Sequence, residues 1–404
     1  MPEAVIVATA RSPIGRAGKG SLKDMRPDDL TVQMIRSVLA QIPALDPTEI
    51  DDLMLGVGQP AGEAGNNLAR AVAVLAGLDE LPGVTVNRYC SSSLQTTRMA
   101  MHAIRSGEGD VFISAGVETV SRYFNGWSDT PEGQNPLFVD AQARTASFAQ
   151  GGQTWVDPRT LGDLPDLYIA MGQTAENVAQ AAGISRADQD AFGVRSQNLA
   201  EKAIAEGFWA RDITPVTLSD GTLVSADDGP RAGVTLEAVA DLKPVFRPDG
   251  TVTAGNCCPL NDGAAALVVM SDTKARELGL TPLARIVSTG VSGLSPEIMG
   301  LGPVEASRRA LARAGMTIDD IDLVEINEAF AAQVIGSARE LGIAEDRLNV
   351  NGGAIAVGHP FGMTGARITS TLINSLQWHD KQFGLETMCV GGGQGMAMVL
   401  ERLS

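Results

Sequence analysis

Three segments in the N-terminal part of this chain have counterparts, in the same order, near its C-terminal end. IPALDPTEIDDLMLGVG (42–58) resembles AGMTIDDIDLVEINEAF (314–330): each is an Asp-rich stretch followed by a strand-like run. VTVNRYCSS (84–92) resembles LNVNGGAIAV (348–357), where a strand ends in Asn and small residues follow. DVFISAGVE (110–118) resembles LETMCVGGG (385–393), a strand ending in a small-residue turn. Any one pair can arise by chance, but three in order predict two copies of one five-stranded α/β unit, whose equivalent parts meet about a pseudo-two-fold axis. Strand-like and helix-like segments alternate along most of the 404 residues, which predicts an α/β fold with mainly parallel pairing. A length of 404 residues fits two or three domains. The expected division is a first unit over 1–119, completed by about 256–272, an insertion over 120–255, and a second unit over 273–404.

The insertion reads differently from the units around it. Residues 121–165 are rich in Gly, Pro, Gln and Asp and predict loop. MGQTAENVAQAAG (171–183) and SRADQDAFGVRSQNLAEKAIAEG (185–207) predict amphipathic helices. Ser185, three before Asp188, forms an approximate capping box, and Gly207 is the expected stop. An insertion of this kind is a natural lid or substrate wall over one face of the repeat.

Charge and composition exclude several classes. A formal charge of -17 argues against nucleic-acid partners, which need clustered Lys and Arg, though an anionic ligand can still use backbone amides or a local basic patch. No apolar run reaches the roughly 18–20 residues of a membrane span, so no membrane association is expected. MPEAVIVATARSPIG opens with a strand-like run rather than a charged segment and an apolar core, so no signal peptide is expected, and VLERLS carries no peroxisomal address. Four cysteines without a CxxC spacing do not make a disulfide scaffold, which leaves the cytoplasm as the expected compartment.

Four places can carry chemistry. Val84–Val86 reads as a buried strand, and Leu94, Thr97, Met101 and Ile104 share one helical face, so Cys90 sits where a strand hands over to a helix. A helix N-terminus favours thiolate, which would make Cys90 a nucleophile; the alternative is a small buried hydrophobe. His359 lies in NGGAIAVGHPFGMTGAR, and His102 and His379 read as structural or solvated. The repeat brings the His359 segment beside that of Cys90, and a cysteine and a histidine from separate parts of a chain can form a base-activated thiol. Cys389 faces three glycines in TMCVGGGQGMAMVL, which predicts two strands joined by a turn whose bare amides can hold an oxyanion; a core cysteine at a hairpin is the alternative. In DLVEINEAFAA a strand ends at Asn327 and Glu328, either of which can be an N-cap.

NRYCSSSLQ, MGQTAENVA, GTVTAGNCCPLNDGAAA, INEAFAA, NVNGGAIAVGHPFGMTGAR and MCVGGGQGMAM together resemble the thiolase family, over nearly the whole chain. The resemblance implies the thiolase fold, two duplicated α/β halves stacked in layers. It implies an acyltransferase that cleaves 3-oxoacyl-CoA with CoA, or runs the reverse condensation, by ping-pong kinetics through an acyl-cysteine. By the same resemblance Cys90 is the nucleophile, His359 its base, and Cys389 the acid/base at the acetyl carbon. The amides of Cys90 and Gly391 form one oxyanion site, and His359 with a water held by Asn327 forms the other. Met171, Ala254, Cys258 and Phe330 are placed along the CoA pocket. CoA and acyl-CoA enter as substrates, with no permanently bound cofactor and no metal, and a homodimer or homotetramer is expected.

Three positions depart from the family pattern. Ala170 replaces the His of short-chain acetoacetyl-CoA members, Cys258-Pro259 replaces a Ser-Gly pair in the CoA loop, and Ser93 replaces a Gly. The first favours the degradative branch, such as fatty-acid β-oxidation, and a longer acyl chain, with Tyr123, Phe124, Trp127, Leu137 and Phe138 as the expected channel lining. The second puts the usual hydroxyl contact to CoA in doubt; Cys257-Cys258 fit packing against the pantetheine arm better than metal ligation or a disulfide. A non-catalytic acyl-CoA or lipid carrier would be expected to lose Cys90, His359 or Cys389, and a decarboxylating condensing enzyme to pair its Cys with two His. A biosynthetic acetoacetyl-CoA thiolase is the alternative within the family.

Overall fold

The computed structural model describes residues 2–404. Nine strands carry the fold: β1 (Ala4–Arg11), β2 (Asp52–Val57), β3 (Gly83–Val86), β4 (Val111–Thr119), β5 (Asn261–Ser271), β6 (Ala284–Gly293), β7 (Leu323–Ile326), β8 (Phe383–Val390) and β9 (Gln394–Arg402). They run β7–β8–β9–β6–β1–β5–β4–β2–β3 in one sheet, and a two-residue strand, Gly15–Arg16, pairs with β5. Outward from the β1–β6 junction the order is the same in both directions: first, fifth, fourth and second strand of each unit. The junction itself is short, pairing Val5 with Arg285 and Ile6 with Ala284.

The expected mainly parallel pairing is not what forms. Three ladders are parallel (β2–β3, β2–β4, β7–β8) and five are antiparallel (β1–β5, β1–β6, β4–β5, β6–β9, β8–β9). The turn Gly391–Gly393 between β8 and β9 is too short for a crossover, so those strands must be antiparallel. The third position also differs between the units. Where the first unit has β3, the second has only an isolated bridge of Leu348 to Val324. Asn349 stands in for the missing ladder: its side chain accepts from Ile326 N at 2.8 Å and donates to Ile326 O at 2.9 Å. Nor is Val84–Val86 a buried strand; β3 is the end strand of the sheet and all four of its residues are half-buried.

Helices form three layers around the strands. α1 (Pro27–Gln41) and α2 (Leu68–Ala76) share an apolar cluster with one face of the first unit. α7 (Gly302–Ala314) and α8 (Ala331–Leu341) do the same on the second. Between the units lie α3 (Ser92–Ser106) and α9 (Thr364–Trp378), in one cluster with strands of both. Leu94, Met101 and Ile104 of α3 are buried there as their spacing predicts. α9 lies directly on α3 because position 365 is Gly, where a Cβ would stand 2.1 Å from Leu94 N. Ser93 then gains a purpose: its Oγ accepts the Ala366 N–H at 2.8 Å, satisfying a free donor in the first turn of α9.

The insertion holds α5 (Met171–Ala181) and α6 (Arg186–Ala205), the latter with the predicted Ser185/Asp188 capping box. Gly207, at φ +86°, ends that run. The expected loop over 121–165 contains α4 (Val139–Phe148) and several 3-10 turns. Asn135 and Asp157, each followed by Pro, start two of these turns by accepting the N–H two residues on, at 2.9 and 3.0 Å. Among the described residues no helix is long and apolar enough to cross a membrane.

Candidate active site

Cys90 lies in the 3-10 turn Tyr89–Ser91, two residues before α3 begins at Ser92. Tyr89 takes a left-handed φ of +44°, unusual for a side chain of its size, and three bonds hold it there. Asn87 Oδ1 accepts Tyr89 N at 2.7 Å, while Ser92 Oγ accepts Arg88 N at 2.9 Å and donates to Tyr89 O at 2.6 Å. The turn presents a half-buried Cys90 to a cavity of about 230 Å³. Gly391 closes on it from the other unit, lining the same cavity, and its backbone N–H favours the Cys90 thiolate. A side chain at 391 would press on the Tyr89 ring, its Cβ 3.2 Å from Cγ. The two positions after it, Gly392 and Gly393, need glycine because φ is +73° and +77°.

The expectation that the helix start turns Cys90 into a thiolate is corrected by its surroundings. Burial, followed by the Glu118 carboxylate, outweighs the backbone amides of Gly391 and Cys90, which favour the thiolate, and pushes the thiol up to about 12. Cys389, at the end of β8, is fully buried among Met299, Ala329 and Phe330, and its thiol is also pushed up, by burial and then by Cys90. Cys258 is near enough to both for ionisation of any one to oppose the others.

His359 is buried in the segment between a short helical turn, Ala354–Val357, and α9. Thr364 fixes its tautomer. The Thr364 hydroxyl donates to Pro360 O at 2.7 Å, so at its 2.6 Å contact with His359 Nδ1 it must accept, and Nδ1 carries the hydrogen. Nε2 is thereby the bare nitrogen, and it has no partner among the described residues. Burial, then the Arg367 charge, holds the ring down to about 3, so the imidazole is neutral. Its ring stands edge-on to Phe361 with centroids 5.2 Å apart, and Phe361 lines the cavity beside Cys90.

Asn327 is buried and its Oδ1 accepts from Arg367 Nη2 at 3.4 Å, leaving its Nδ2 donor without a partner among the described residues. Neither Asn327 nor Glu328 is an N-cap, as α8 begins only at Ala331 with Phe330 before it. Glu328 is instead a buried anchor, accepting from Ser196 Oγ, Asn349 Nδ2 (2.8 Å) and Ile355 N (3.1 Å).

Met171, at the start of α5, lines the cavity. Cys258 and Phe330 lie behind it in the cluster around Cys389, with Cys258 N donating to Ala329 O at 3.1 Å. Ala254 is exposed and lies outside that cluster. Ala170 is exposed as well, its neighbours Ile169 and Met171 forming the wall. The expected aromatic lining is displaced: Phe124 (79% exposed) and Leu137 (74%) face outward, Trp127 is exposed, and Tyr123 bonds Glu118. The cavity is walled instead by Gln59, Asp129, Gln134, Leu167, Tyr168 and Ile169. Sequence reasoning missed these and Glu118, Thr364 and Arg367. A carboxylate inside the apolar run DVFISAGVETV was the available signal for Glu118.

The model of the thiolase N-terminal domain matches residues 4–273 and that of the C-terminal domain residues 280–402. The chain belongs to the thiolase family. It is similar to the 3-ketoacyl-CoA thiolase of Bacillus subtilis, 44% identical over 99% of this chain and 100% of that one. It is equally similar to the 3-oxoadipyl-CoA/3-oxo-5,6-dehydrosuberyl-CoA thiolase of Escherichia coli K12, 44% identical over 100% of both chains. The crystal structure of the Bacillus anthracis acetyl-CoA acetyltransferase superposes with a TM-score of 0.87 at 39% identity, covering 100% of this chain and 99% of that one. This thiolase is therefore an enzyme, a thiolytic acyltransferase acting on CoA thioesters.

Proposed function

We propose that this thiolase cleaves 3-oxoacyl-CoA substrates with uncharged acyl chains, as in fatty-acid β-oxidation in the cytoplasm, and that Cys90, His359 and Cys389 divide the chemistry. The convergence of Cys90 from the first unit and Gly391 and Phe361 from the second on one cavity is the observation that carries the reading. Both groups are neutral at rest, so His359 Nε2 takes the Cys90 proton as sulfur attacks C3 of the substrate. The amides of Cys90 and Gly391 receive the oxyanion. The C2–C3 bond then breaks, and the unpaired Nδ2 of Asn327 and the imidazolium of His359 serve the enolate oxygen. Cys389 gives its proton to C2, releasing acetyl-CoA, and recovers one from His359. In the second half, CoA loses its thiol proton to His359 and attacks the acyl-cysteine, and that proton returns to Cys90 as it leaves. CoA is a substrate here, and the reading includes no permanently held cofactor.

Leu167, Ile169, Met171 and Phe361 supply apolar wall, and no Lys, Arg or His lines the cavity, whereas Asp129 does. A terminal carboxylate on the acyl chain finds no cation there, which favours the substrate class named for the Bacillus relative over that named for the Escherichia one. Acetyl-CoA release measured on 3-oxoacyl-CoAs from C4 to C12, with 3-oxoadipyl-CoA alongside, tests this. Expected is a rise in kcat/KM beyond C4, each CH₂ contributing up to about 0.8 kcal/mol while it fits. 3-Oxohexanoyl-CoA should exceed 3-oxoadipyl-CoA by about tenfold, the effect of one like charge in partly solvated surroundings. A maximum at C4 sinks the long-chain part, and preference for 3-oxoadipyl-CoA sinks the uncharged-chain part.

A further inference from the structure

Glu118 takes no part in the reaction sequence above, yet it is buried beside the nucleophile and is used completely. It is the last residue but one of β4 in the first unit. Its Oε2 accepts the Gly58 N–H at 2.8 Å, from the residue after β2, and the Gly362 N–H, also at 2.8 Å, from the segment of the second unit that carries His359. Its Oε1 accepts the Tyr123 hydroxyl at 2.9 Å. The segment it grips lies close on the first unit: a Cβ at Gly362 would stand 2.3 Å from Val117 O and 2.7 Å from Gly56 O. Gly58, Gln59 and Phe361, all within one residue of these bonds, line the cavity with Cys90. One carboxylate thus joins the wall around the nucleophile to the loop of the base, across the boundary between the two units.

We propose that Glu118 is a positioning residue, whose reach to Gly58 and Gly362 holds the His359 loop in register with Cys90; the inference rests on the roles assigned above. What matters is length rather than charge. An amide oxygen at the same place accepts both N–H groups, and its NH₂ can donate to Tyr123. A side chain one methylene shorter cannot span to both. The charged and titratable groups facing Glu118 fit this division. Tyr123 donates to it and is pushed up by burial and then by its charge, Arg122 and Glu63 beside it are paired with each other, and the Cys90 thiol feels that charge as a smaller upward push.

Glu118→Gln and Glu118→Asp separate the possibilities, since the first keeps reach and loses charge and the second does the reverse. Expected is a kcat loss of about 100-fold for Glu118→Asp, the scale of an ångström's misplacement, and of less than about tenfold for Glu118→Gln. KM for the acyl-CoA should move less than about threefold in both, because Glu118 touches no substrate. Amide exchange over 358–363 should be faster in Glu118→Asp than in Glu118→Gln, a readout that needs no activity. Glu118→Gln losing as much as Glu118→Asp, or more, overturns the proposal in favour of a role for the charge. Lower thermal stability in Glu118→Asp with an unaltered kcat and unaltered exchange overturns it in favour of a purely structural role. A wild-type chain that cleaves no 3-oxoacyl-CoA, yet shows the expected exchange difference, overturns the functional reading and leaves the loop contact standing.

Discussion

At Cys90 two opposite influences act on one sulfur. Two amides favour the thiolate, while burial and the Glu118 carboxylate disfavour it, and burial prevails, with the thiol pushed up to about 12. An ordinary cysteine near 9.0 gains alkylation rate with pH and then levels; Cys90 should go on gaining, about tenfold per pH unit, through pH 9 to 10. Iodoacetamide labelling followed by peptide mass spectrometry measures this, and a plateau below pH 8 would show a thiolate already formed in the free enzyme. Cys389 answers a different test. In the proposed sequence its proton goes to C2 and is not used to acylate Cys90, so Cys389→Ala should still form an acyl adduct on Cys90 from an acyl-CoA donor. Thiolysis should fall about 10²- to 10⁴-fold, the usual contribution of a positioned acid/base. Absence of the adduct in a folded variant would show the two cysteines to be assigned the wrong way round.

The elements around the site owe their positions to local rules used at long range. α6 begins where a capping box predicts, and the segment over 121–165 winds into turns at Asn-Pro and Asp-Pro. Its apolar side chains, however, face away from the cavity: Phe124 and Leu137 are mostly exposed, while Leu167 and Ile169 further along supply the wall. Phe124→Ser and Leu137→Ser should therefore leave the dependence of kcat/KM on acyl-chain length where it was, whereas Ile169→Ala should flatten it by about 2–3 kcal/mol's worth of lost apolar contact at most. The C4 to C12 series measured on the three variants decides this. A flattened profile in Phe124→Ser would place that ring in the channel after all.

On the scale of the whole molecule, the sheet stops at β3, a strand with a free edge and four half-buried residues, beside α2 with Val74 and Leu75 each 48% exposed. A free edge with apolar neighbours is a template for another strand, and a second copy of this chain offers the same edge in return. The expected outcome is a dimer or tetramer in solution, converted toward monomer by Thr85→Pro, which removes one edge donor. Light scattering on both proteins checks it; a monomeric wild type, or an unaffected assembly in a folded Thr85→Pro, would show that this edge is not the contact.

The duplication, the helices and the cysteine, histidine and glycine segments are legible in the chain because each rests on local information: a period, a cap, a turn that demands small residues. Three ordered echoes were enough to anticipate two units with one strand order, and by resemblance the motifs assign Cys90, His359, Cys389 and Gly391 to one site. What the tertiary structure decided depends on groups far apart in sequence. Pairing direction followed from which connections are too short to cross over, and the strand expected after Leu348 was displaced by the Asn349 side chain on Ile326. The ionisation of Cys90 was set by burial, which no local pattern records. The bare nitrogen of His359 was chosen by a Thr364 hydroxyl already committed to Pro360. Glu118 shows the reason most plainly: its partners at 58 and 362 are brought to one carboxylate only when the two units close on each other.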